Sequence, residues 1–216
     1  MDLNNPIGIK SLEPSQNPFI MSPFRYASGG IGGWVEVARE TLGSNSQNIN
    51  VDSIPDKRYY MVLANIDLTN AGTGGGMRWG HDSAETGTRY AFRGSNNGAT
   101  DTHYANRVDA HWVGGYSNSE EFYVTYIANK SDLQKLHITN RIYGIAGAGN
   151  APKRTEFTGK GILADDVINY INYYQGGSDN FVSGSEVVVL GYDPGDVHTE
   201  NFSNVSRRYT KCNNGI

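Results

Sequence analysis

The sequence predicts an all-β chain whose strands pair antiparallel into a sandwich or barrel. Three observations carry this. Glycine makes up 27 of 216 residues and charged residues only 19%, against usual shares of about 7% and about 25%. Tyrosine, a strand-favouring ring, outnumbers Phe and Trp together, 14 to 7 and 3. About eight to ten apolar runs follow one another at intervals of roughly 10 to 20 residues, with no strong amphipathic helix between them. Strands without helical crossovers pair antiparallel, and this many in one chain close into a sandwich or barrel. A helical bundle, a coiled coil and a doubly wound α/β enzyme are excluded on the same grounds.

Taken in order, residues 1–33 read as an extended arm. Four of the seven prolines (Pro6, Pro14, Pro18 and Pro23) fall here, and Ser28-Gly29-Gly30-Ile31-Gly32-Gly33 closes the segment as a hinge. Ile7, Ile9, Phe19, Ile20 and Phe24 are too apolar for a solvated linker, so the arm is expected to dock, either on a neighbouring surface or back on its own domain. Residues 34–193 form the strand region. Trp34 to Leu42 alternates, with Val35 and Val37 opposite Glu36 and Glu40. Arg58 to Leu68 is apolar on both faces, which predicts a central strand buried on both sides. Gly76–Gly80, Thr88–Arg93 and Val108–Val113 are shorter candidates, followed by Glu121–Ala128 and Lys135–Ile145. Val167–Tyr174 has a helix-like length, but its β-branched and aromatic content and the Gln175-Gly176-Gly177 stop favour a strand. Gly184–Tyr192 is the closing strand, buried within the sheet, and residues 194–216 are a short polar tail.

Charge and composition narrow the function. The net charge is −4, and 18 scattered Lys and Arg give no clustered basic footprint for nucleic acid. The single Cys212 rules out an internal disulfide. Met1 to Pro23 lacks the basic start and apolar run of a secretory signal, and no stretch reaches the ~20 apolar residues of a membrane span. A soluble protein made in the cytosol is the expectation.

Sites of chemistry are sparse. Gly72 to Trp79 and Gly144 to Asn150 lack the register and following helix that a phosphate cradle needs, so they read as loops joining strands. His81, His103, His111, His137 and His198 are dispersed, with no metal-ligand spacing, and no cofactor is expected. His81-Asp82 and Asp101-Thr102-His103 read as polar loop pairs. Glu120-Glu121 and Asp165-Asp166 would point to opposite faces of a strand, so neither pair flanks one bond. The sequons at Asn129, Asn201 and Asn204 are expected to go unused. Trp79, Tyr90, Trp112 and Tyr116, with Tyr173 and Tyr174, are candidates for stacking on sugars if exposed. The core or a subunit contact is the favoured place for most of these rings.

Several segments resemble tailed-phage and marine viral structural proteins. These are Phe122 to Lys130 with Lys135-Leu136-His137-Ile138, Gly147 to Arg154, Phe181 to Asp193, and Trp34 to Ala38 with Ile54 to Tyr60. The resemblance covers about residues 34–193. It implies a jelly-roll-like β-sandwich used as a capsid decoration, fibre or tail appendage, and it carries over no catalytic set. The expectations that follow are a non-enzymatic virion protein assembled in the host cytoplasm, a homo-oligomer with a trimer favoured, and other capsid or tail proteins as partners. The arm would be its anchor, through Ile7, Ile9, Phe19, Ile20 and Phe24. Host-surface glycan recognition is the alternative role.

Overall fold

The computed structural model describes residues 33–69, 74–114, 120–144, 147–162 and 166–194, and the structural statements below concern these. They form an all-β fold of two antiparallel sheets packed together, the sandwich that the strand pattern predicts. Twelve strands are present: β1 (Val35–Thr41), β2 (Asn48–Val51), β3 (Tyr59–Ile66), β4 (Gly75–Gly80), β5 (Tyr90–Asn96), β6 (Thr102–Arg107), β7 (His111–Val113), β8 (Glu121–Ala128), β9 (Lys135–Tyr143), β10 (Lys153–Gly161), β11 (Tyr170–Tyr174) and β12 (Glu186–Tyr192). They divide into an eight-stranded sheet, β1-β12-β3-β8-β9-β10-β5-β6, and a four-stranded sheet, β2-β11-β4-β7.

The core lies between the sheets and follows from period-2 alternation. From the large sheet, β3 contributes Tyr60, Val62, Ala64 and Ile66, β8 contributes Tyr123 and Ile127, and β12 contributes Val187 and Val189. The small sheet answers with Ile49, Val51, Met77, Trp79, Val113, Ile171 and Tyr173. Buried hydroxyls tie the layers together. Tyr90 on β5 donates to the Trp79 carbonyl on β4 (2.8 Å) and accepts from its amide (3.1 Å). Tyr60 donates to the Ile168 carbonyl (3.0 Å). These bonds satisfy groups whose burial would otherwise be costly.

Three strands escape sequence reading. β2 is four residues long and half asparagine. β6 is a polar edge strand, and it places His103 in a strand where a loop was expected. β10 turns Thr155, Phe157, Gly159 and Gly161 inward. A Cβ on Gly161 would stand 2.7 Å from the Trp79 ring, so glycine is required where the indole crosses the strand.

One expectation needs correction. β3 is an interior strand, but only its inner face is fully buried; Tyr59, Met61 and Leu63 on the other face are half-buried. No second layer of described residues covers that side.

Candidate functional site

The outer face of the large sheet carries the most unusual surface among the described residues. Strand register aligns its side chains in rows across the sheet. One row runs Glu36, Leu190, Met61, Tyr126, Ile138, Thr158 and Arg93, from β1 to β5. The next runs Tyr192, Tyr59, Ala128, Leu136 and Lys160. A third pairs Asn65 with Phe122, Phe122 with Ile142, and Ile142 with Arg154. On β8 and β9 this face is apolar yet open: Phe122 is 41% exposed, Tyr126 44%, Leu136 57%, Ile138 55% and Ile142 51%. A sheet face turned to water ordinarily alternates to polar residues. Contiguous apolar exposure of this kind marks a contact surface.

Two of these rows floor a trough of about 1000 Å³ that crosses the strands from Trp34 to His103. Its β1 end is aromatic. The Trp34 ring sits 5.6 Å from Tyr192 and 6.4 Å from Tyr126, and Tyr59 stacks on Tyr192 at 6.2 Å. Its far end is basic, with Arg93, Lys160 and His103. The flanks of the face differ in charge. Arg39 on β1 bridges Glu36 (2.7 Å) and Glu186 (2.6 Å), leaving one net negative charge among them. On β10 and β5, Arg154, Lys160 and Arg93 outnumber Glu156 and leave two positive charges.

The ionisable groups that the fold gathers elsewhere lie inside. Glu121 on β8 and Arg141 on β9 pair at 2.6 Å, with side chains 0% and 5% exposed. Tyr123 donates to Glu121 (2.5 Å), and Arg141 donates to the Gly114 carbonyl (2.9 Å). Burial, with the Glu121 charge adding to it, pushes the Tyr123 hydroxyl well above its ordinary range. His111 and His137, far apart in sequence, meet with ring centroids 5.8 Å apart. Burial holds His137 down to about 4, and it holds His111 well below its ordinary value with help from His137 and Arg141. Neither His137 nitrogen makes a well-formed hydrogen bond, and Nε2 of His111 makes none. These groups are enclosed, so the cluster acts as packing with an internal ion pair. Among the described residues, no three His, Cys, Asp or Glu side chains converge on a metal position.

The sugar-stacking candidates separate sharply. Trp79 and Tyr90 are 0% and 2% exposed, and Tyr173 is 0% exposed. They are core residues, because each faces the opposite sheet and Tyr90 is bonded to the Trp79 backbone. Trp112 is half-buried in a ring cluster with Tyr104 (4.4 Å) and Phe92 (5.5 Å). Tyr174 is half-buried, beneath Arg78 at 3.6 Å and bonded to Asp109 (2.9 Å). Tyr116 and the arm residues Ile7, Ile9, Phe19, Ile20 and Phe24 lie outside the described residues. Glu120 is exposed while Glu121 is buried, as strand alternation requires. His81 contacts Asp166 (3.0 Å), and Asp82 accepts from Asn169 (2.8 Å), which ties the end of β4 to the approach to β11. Asn129 is buried, donating to the Lys57 carbonyl (3.0 Å) and accepting from the Ile168 amide (2.9 Å). That sequon has no room for a glycan. Sequence reading missed the outer face as a site, although its signal was the two-sided apolar pattern of residues 58–68 and 121–128.

No protein-family profile, curated protein or solved structure matches this chain.

Proposed function

We propose that the protein is a non-enzymatic structural subunit of a virus particle, a capsid decoration or a tail or fibre subunit, that assembles with copies of itself. The virion setting rests on the sequence resemblance. Self-assembly rests on one observation, the open apolar outer face of the large sheet. The occupant of that face is a second copy of this chain. Six strands, β1 to β10 in sheet order, span about 29 Å, and seven residues along them about 23 Å. The resulting footprint of about 670 Å² approaches the ~800 Å² that each partner gives to a stable interface. The face has the anatomy of such an interface, an apolar centre with a charged rim. Its two flanks carry opposite net charge, so identical copies attract where flank meets flank. Closed symmetry is the ordinary outcome, and a trimer fits the role best.

Light scattering on the purified chain tests the assembly reading. The wild type is multimeric, and Ile138→Asp, at an exposed position, is monomeric with an unchanged circular dichroism spectrum. A wild type that stays monomeric at high concentration refutes it. The virion setting is tested separately, by locating the chain in a map of purified particles; particles without it remove that setting. Host glycan recognition is the second reading, favoured by the rings of Trp34, Tyr59, Tyr126 and Tyr192. Groups able to bond sugar hydroxyls sit at both ends, the tyrosine hydroxyls and the Trp34 indole N–H at one and Arg93, Lys160 and His103 at the other, while Ala128, Leu136 and Ile138 keep the middle apolar, which weighs for a protein occupant. A glycan array without signal removes this second reading.

A further inference from the structure

A flat second sheet would cover the rows of the outer face but would not fill a trough about 1000 Å³ in volume. The void needs something narrow and apolar. We propose that it receives residues 19–28 of a neighbouring copy's N-terminal arm, so that copies are joined by exchanged arms. This rests on the assembly reading above and names the segment that makes the contact.

Length, chemistry and position support the assignment. From β1 to β6 the trough crosses seven strand spacings, about 34 Å. Ten extended residues span about 33 Å. Phe19-Ile20-Met21-Ser22-Pro23-Phe24-Arg25-Tyr26-Ala27-Ser28 is a ten-residue segment with five bulky apolar or aromatic side chains. Its proline favours an extended backbone and removes a donor that the apolar trough would leave unpaired. Trp34, the residue at the root of the arm, already lies against Tyr192 and Tyr126 at the trough's β1 end. The arm is therefore delivered at the rim of this face, where copies meet.

The same root position separates a neighbour's arm from the chain's own. Running extended from Trp34 across its own trough, the chain would lay Gly29 to Gly33 over the first ~16 Å. Those residues, mostly glycine, would lie above Tyr59 and Tyr126, where the trough requires bulk. Phe24, ten residues out, would reach only the basic end about 33 Å away, and Phe19 to Met21 would overshoot it. A neighbour's arm has no such tether and can set its bulky residues over the central rings. The glycine hinge, with Gly33 at φ 86°, then serves to let the arm leave its own domain.

Complementation between two full-length variants tests this. One carries Ile20→Asp and Phe24→Asp in the arm, and the other carries Ile138→Asp in the trough. Each alone is expected to be monomeric by light scattering, with circular dichroism matching the wild type. Mixed, they should form one-to-one pairs, because the intact arm of the trough variant seats in the intact trough of the arm variant. An arm variant that assembles like the wild type overturns the exchange while leaving assembly through the sheet face standing. A mixture that stays monomeric, beside a multimeric wild type, also overturns it. A monomeric wild type instead overturns the assembly reading itself.

Discussion

His137 makes the stability of the fold depend on pH in a direction the structure fixes. Its ring is 3% exposed, wedged 5.3 Å from Trp79 and 5.8 Å from His111, and burial holds its pKa near 4. In the unfolded chain it titrates near 6.5. Between those values the unfolded state binds the extra proton, so stability is complete above pH 6.5 and falls as the pH drops toward 4. The loss works out at about 2 kcal/mol by pH 5 and about 3 kcal/mol by pH 4. His111, buried alongside and also depressed, acts in the same direction. His137→Phe keeps a ring in the site and removes both unsatisfied nitrogens. Urea unfolding at pH 7.5 and pH 5.0, on wild type and variant, isolates the effect from the carboxylates that both share. The wild type should lose about 2 kcal/mol more than the variant, a midpoint difference of roughly 1 M urea. Equal losses in the two proteins would refute the reasoning.

Two further expectations concern the interior. Arg141→Met strands the Glu121 carboxylate in a dry site and should cost about 3–5 kcal/mol, whereas Glu121→Leu together with Arg141→Met should recover most of that. A single variant within 1 kcal/mol of wild type in urea unfolding would contradict the pairing seen at 2.6 Å. Gly161→Ala drives a methyl group against the Trp79 indole and should cost about 1–3 kcal/mol with a shift in tryptophan emission. An unperturbed melting curve would show that the strand yields there.

Strands that alternate strongly were legible in the sequence. Glu121–Ala128 has the bounds expected of it, and Lys135–Tyr143 and Glu186–Tyr192 end within two residues of theirs. β10 was not, because its inward positions include two glycines that admit rings from other strands, and a glycine carries no hydropathy signal. Burial of Trp79 and Tyr90 follows the core placement favoured for most of these rings, but which rings go inside is settled only by the facing sheet. The pairing of His111 with His137 is a product of register across strands distant in sequence, which spacing cannot encode. The outer face lies between these cases. Part of it was visible in the two-sided apolar strand of residues 58–68, and the expected second cover of that strand is what the described fold lacks. That mismatch between pattern and burial is the basis of the assembly reading.

Hydroxyl-radical footprinting of the protein at dilute and at assembling concentrations tests that reading most directly. Tyr126, Leu136 and Ile138 should become protected on assembly, while Tyr174, half-buried on the small sheet, should not change. Equal modification of all four residues at both concentrations, with the chain multimeric, would place the interface elsewhere and contradict the account.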